Sequence, residues 1–148
     1  MSTKLNVKEL NAEFTGHVFD KIDLDVEAES LIGYAKACGE TQPRFIDETH
    51  PDFQAVPNYP TRIHGTRGLP KNFPIDMKRC FDAGKSVTIH SSIHAGDKIQ
   101  GRSEIADIYE KTGRSGAMLF IVHRMNFFNQ DDVHLATVDW RLVQREFD

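Results

Sequence analysis

The hydrophobic positions along the chain change period once, and the change separates a helical front from a stranded back. Ala28, Leu31, Ile32, Ala35 and Cys38 recur at offsets of 3, 4, 7 and 10, the spacing of one apolar stripe on a helix. This predicts a helix from about Asp25 to Cys38, with Asp25 as cap and Glu27 and Glu29 at the positive end of the dipole. Gly39 supplies the left-handed conformation that ends such a helix, and Pro43 prevents it from resuming at Gln42. On this reading Cys38 is a buried free thiol on the stripe.

From Val87 the period is two. Val87, Ile89, Ser91 and Ile93 alternate with His90, Ser92 and His94, and Ile99 to Ile105 alternate with Lys98, Gln100, Arg102 and Glu104, the pattern of half-buried strands. The phase slips beyond Ala106, which predicts a bulge or strong bend there. Lys111–Arg114 reads as a hairpin turn. Ala117–Val122 is apolar on both faces and suits a central strand. After a turn at Asn129–Asp132, Ala136, Val138, Trp140 and Leu142 alternate with Thr137, Asp139 and Arg141.

Elsewhere the pattern is weaker. Residues 1–13 read as a loosely held lead-in, Phe14–Phe19 as a short strand, and Met77–Ala83 as a short helical piece. Between Glu48 and Lys78 stand Pro51, Pro57, Pro60, Pro70 and Pro74, a density that excludes central strands and long helices. A helix followed by a run of antiparallel strands predicts an α+β fold.

Composition narrows the function. At 39% hydrophobic and 27% charged over 148 residues the chain suits one soluble domain spanning 1–148. No stretch approaches the roughly 18 apolar residues of a membrane span, and no apolar leader precedes Leu10, so a cytoplasmic protein is expected. A net charge of −4 argues against a general nucleic-acid surface, because phosphate binding leans on clustered Lys and Arg. Cys38 and Cys80 lack the CxxC spacing, which fits a reducing compartment. His90 and His94 share a strand face without supporting Cys or carboxylate spacing, so a metal site is not expected there. Nucleophile-elbow, phosphate-loop and dinucleotide signatures are missing, and no cofactor is expected.

The chemistry concentrates after the helix. Tyr34-Ala35, then Cys38-Gly39-Glu40-Thr41-Gln42-Pro43-Arg44-Phe45-Ile46-Asp47, resembles the hydratase-2 motif of MaoC-like hot-dog proteins, roughly Y/F-A-x-x-S-G-D-x-N-P-x-H-x-D. The resemblance implies a hot-dog fold, with a long central helix wrapped by an antiparallel sheet. It implies (R)-specific hydration of enoyl thioesters, or the reverse dehydration, on acyl-CoA or acyl-carrier-protein substrates. Ser92-Ile-His-Ala-Gly-Asp97 resembles the family's P-L-x-x-G-D junction, and His64-Gly65 its His-Gly-Met.

Carried over residue by residue, Glu40 stands at the family's Asp, Gln42 at its Asn, Pro43 at its Pro, Asp47 at its last acid, and Phe45 at its His. A phenyl ring transfers no proton, so the Asp/His pair is broken and a carboxylate one methylene longer remains. Glu40 is therefore the candidate catalytic residue, and Arg44, Phe45, Asp47 and His64 are candidate substrate contacts. Arg44 is suited to a phosphate or carboxylate, and Phe45 to packing. The departure implies the substrate-binding half of a hydratase or dehydratase that pairs, as a homo- or heterodimer, with another hot-dog subunit. The rival readings are a self-sufficient homodimeric hydratase or thioesterase using Glu40 with His64, and a non-catalytic acyl-thioester-binding module.

Overall fold

The computed structural model describes residues 5–114 and 116–145. Among them lie a five-stranded sheet and four α-helices. The strands are β1 (Val18–Asp25), β2 (Cys80–Ile89), β3 (Lys98–Gly113), β4 (Gly116–Phe128) and β5 (His134–Arg145). They lie in the order β1-β3-β4-β5-β2, each pair antiparallel. The expected central strand thus falls within β4, the middle of the sheet.

The helices are α1 (Val7–Phe14), α2 (Ala28–Ala37), α3 (Pro43–Ile46) and α4 (Tyr59–His64). Helix α2 is shorter than the stripe predicted. Glu27, not Asp25, is its N-cap, because Val18–Asp25 is extended as β1. The alternation Ile22-Asp23-Leu24-Asp25-Val26 carries that strand, four residues later than the expected strand at Phe14–Phe19. Cys38 is exposed, contrary to its place on the stripe: the apolar contact ends at Ala35, and the chain leaves the core before reaching the thiol.

Residues 7–14 are helical instead of loose. Asn6 caps the helix by accepting from the Glu9 N–H at 3.2 Å, and Leu10 and Phe14 anchor it, too few apolar positions to make a stripe. The Asn11 amide bonds the backbone N–H and carbonyl of Ile108, beside the register shift between Ile105 and Asp107. The bulge predicted near Ala106 is therefore real, and the amide holds it.

The proline-rich stretch carries one short helix, α4, which Pro60 can enter because the first turn needs no N–H from it. Met77–Arg79 is a 3₁₀ turn, and from Cys80 the chain is strand, not helix. Strand β2 lies on the sheet edge, with its register broken between Asp82 and Lys85 and Gly84 at φ +100°. Its residues are mostly exposed on both sides, so no alternation marks its first half.

The inner face of the sheet carries two apolar clusters. One joins Leu31 and Ala35 of α2, with Phe45, to Ile99, Met125, Phe127 and Val138. The other joins Leu10 and Phe14 of α1 to Ile105, Leu119, Ile121 and Leu142. At Gly101 the inner side chains close over bare backbone: a Cβ there would lie 2.3 Å from Met125 Cε, 3.1 Å from Phe127 and 3.2 Å from Ile22.

Candidate functional site

The turn after α2 is built by its own backbone. Gly39, at φ +79°, lets the Glu40 N–H reach the Ala35 carbonyl at 2.9 Å and its own N–H reach that of Lys36 at 3.0 Å, a Schellman pair. The chain then reverses and Pro43 opens the single turn of α3.

Glu40 folds onto the segment that follows it. Its Oε1 accepts from the N–H groups of Thr41 and Gln42, each at 3.0 Å, so one carboxylate oxygen satisfies two donors ahead of α3. Asp47 acts likewise at the far end. Its Oδ1 accepts from the Thr49 hydroxyl at 2.7 Å and from the Thr49 N–H at 2.9 Å, and these bonds, the hydroxyl first, hold its carboxyl below the usual range. The two acids thus bracket α3.

Between them the side chains part. Phe45 is 4% exposed and belongs to the apolar cluster of α2. Arg44 stays outside, its guanidinium 4.6 Å from the Phe45 ring centroid, while its carbonyl accepts from the Gln54 N–H at 2.9 Å. The structure therefore places Glu40, Arg44, Phe45 and Asp47 on one turn, with Phe45 directed into the core.

His64 lies elsewhere, at the end of α4 and 0% exposed. Helix α4 is joined to α2 by Ser30 and Tyr59, whose hydroxyls are 2.9 Å apart, and by the edge-to-face rings of Tyr34 and Tyr59. Against His64 stands a residue the sequence reading passed over. His123 of β4 is also 0% exposed, with its ring centroid 5.4 Å from that of His64, and both are 5.9 Å from Trp140. Its signal was phase: His123 falls on the inward side with Leu119, Ile121, Met125 and Phe127. Burial, ahead of every other cause, lowers both imidazoles to about 4, so each is neutral at neutral pH. Along β4, His123 falls between Ile121 of one apolar cluster and Met125 of the other, and Trp140 belongs to the cluster of Ile121.

His90 and His94 do not converge. His90 Nε2 is 3.0 Å from the Thr137 hydroxyl and its ring lies 4.2 Å from that of His134, while His94 is exposed. Asp97, in the segment that resembles the family junction, is buried and accepts from the His94 N–H at 2.9 Å and the Gln130 amide at 3.3 Å, which fixes the entry to β3. No helix among the described residues is long and apolar enough to cross a membrane.

Comparison with known proteins follows the same outline. The family model for the FAS1-like, dehydratase domain region matches residues 13–138. No curated protein matches the sequence. Among solved structures, a chain of the ChsH1-ChsH2 complex from Mycobacterium tuberculosis has TM-score 0.72 at 17% identity, over 96% of this chain and 92% of that one. A chain of the C-terminally truncated HadBC (3R-hydroxyacyl-ACP dehydratase) complex from the same organism has TM-score 0.66 at 19% identity, over 88% and 97%. A MaoC-like dehydratase from Rhodospirillum rubrum has TM-score 0.60 at 19% identity, over 87% and 92%. At these identities the likeness is one of fold.

Proposed function

The chain belongs to the FAS1-like dehydratase-region family and has the α+β hot-dog fold, and from that premise we propose that it is the substrate-binding, catalytically poor half of an (R)-specific enoyl-thioester hydratase or 3-hydroxyacyl-thioester dehydratase. Adding water across a conjugated double bond needs a group to take the proton of water and one to deliver a proton to carbon. The observation that carries the reading is Phe45. Where the resembling family has an imidazole, this chain has a phenyl ring packed in its core.

Glu40 has its Oε1 engaged by two backbone amides, which supports a part in shaping the turn over one in carrying the proton. His64 is closed inside the protein and bound to its own loop through Nδ1, 3.0 Å from the Gly65 carbonyl. The turn thus keeps the frame of an active site without its proton carrier. A second hot-dog subunit would supply the Asp/His pair, and this chain would contribute part of the wall that receives an acyl-CoA or acyl-carrier-protein thioester. That two of the similar structures are chains of two-protein complexes, one of them a 3R-hydroxyacyl-ACP dehydratase, supports this division of labour.

The test is hydration of a trans-2-enoyl-CoA, followed by loss of its conjugated absorbance. The isolated chain is expected to be inactive, and co-expression with a hot-dog protein carrying the intact Asp-x-Asn-Pro-x-His motif is expected to restore turnover. Robust hydration by the lone chain, abolished by Glu40→Ala, overturns the proposal.

A further inference from the structure

The pair of imidazoles is larger in consequence than packing requires. His64 is the last residue of α4 and His123 belongs to the central strand, so their contact joins the segment covering the sheet to the sheet itself. The 3.0 Å contact of His64 Nδ1 with the Gly65 carbonyl requires that nitrogen to carry the proton, which leaves Nε2 as a bare acceptor. His64 Nε2, both ring nitrogens of His123 and Trp140 Nε1 are buried without a hydrogen-bond partner among the described residues. The cluster is therefore tolerable while its rings are uncharged and costly once one is charged.

Among the described residues the nearby carboxylates are paired elsewhere, and Asp139, which favours charge on His123 weakly, is held by Arg124. The loop after α4 brings Arg67, and β2 brings Lys85, whose Nζ is 3.4 Å from the Gly65 carbonyl. Strand β1 sends Phe19 edge-on to His123 and Asp20 to Arg67, at 3.8 Å. Strand β3 faces the cluster with Ser103 and Ile105, both uncharged. Strand β5 contributes Trp140, while Arg141 and Asp139 alternate to its other side, where Arg124 of β4 takes Asp139 through two bonds of 2.8 and 2.9 Å.

We propose that His64 and His123 form an acid-sensitive latch: a proton on either ring unseats α4 from β4 and β5 and frees the covering segment from the inner face of the sheet. His123 is held in the ladder on both sides and cannot turn out. His64 can, carried by a six-residue helix between proline-rich loops. The charge is thus relieved by movement of α4, which opens the protein at His123. The depressed imidazoles set the range, between the ordinary 6.5 and about 4.

Trp140 is the only tryptophan of the chain, so its emission reads this cluster alone. The full chain is titrated with acid while tryptophan emission and far-UV circular dichroism are recorded together. The latch predicts that emission changes first, with the sheet signal intact, and that amides 59–69 lose hydrogen-exchange protection over the same range. The double variant His64→Phe/His123→Phe, which keeps both aromatic rings and removes both charges, loses the early emission step. Each single variant, His64→Phe and His123→Phe, leaves one imidazole and shifts that step to lower pH. Emission and dichroism changing in one step, or an unaltered early step in the double variant, overturns the proposal.

Discussion

Restoring the imidazole that the resembling family carries, by Phe45→His, should cost stability and yield no activity. The phenyl ring is 4% exposed, within the cluster that includes Leu31, Ala35 and Phe127. A ring of this kind buries on the order of 150–200 Å², worth about 4–5 kcal/mol at ~25 cal/mol per Å². An imidazole keeps part of that area but brings a donor and an acceptor into an apolar setting, each costing about 1–3 kcal/mol when unpaired. The net loss should be about 2–4 kcal/mol, or roughly 6–14 °C in Tm for a chain of this size. The assay is thermal unfolding by circular dichroism, with hydration of a trans-2-enoyl-CoA measured on the same preparation. If Phe45→His unfolds within a degree of the parent and hydrates the substrate unaided, the ring faces the substrate and not the core, and the reasoning fails.

Three further outcomes follow from the same packing. The two buried imidazoles are depressed to about 4 from 6.5, so the unfolded chain binds protons more readily, and the stability they contribute is present above pH 6.5 and lost as pH falls toward 4. Urea unfolding should give a loss of about 2 kcal/mol per ring at pH 5.0 relative to pH 7.5, halved in His123→Phe. Gly101→Ala drives a methyl group to within 2.3 Å of Met125 Cε and should destabilise by about 1–3 kcal/mol in the same titration. Glu40→Ala strips the acceptor from the Thr41 and Gln42 amides and should cost about 1 kcal/mol, with Glu40→Gln largely restoring the midpoint.

The fold was legible wherever one face of an element is buried and the other is wet. The stripe through Leu31 and Ala35 located α2, the alternation through Val138 and Leu142 located β5, and the slip beyond Ala106 marked a true bulge. What escaped was set by contacts distant in sequence. Helix α1 rests on two anchors and a capping asparagine, and β2 is exposed on both faces because it ends the sheet. At the candidate site, the turn from Glu40 to Asp47 could be found from its residues, since glycine and proline dictate it locally. The meeting of His64 with His123 could not, because α4 reaches β4 only through tertiary packing, and a histidine in an apolar strand reads as an exception until its neighbours are known.

The broken register of β2 limits what can add to its edge of the sheet. An outer strand presents unpaired backbone groups on which further polypeptides can assemble without limit. Here the regular run after the break extends only from Lys85 to Ile89, five residues, short of the six or seven typical of self-stacking fibril segments. Before Gly84, Cys80 to Asp82 pair with β5 in a register shifted from that of the later run. Open-ended cross-β accretion is thereby discouraged, while a single mate whose contour follows the offset remains welcome.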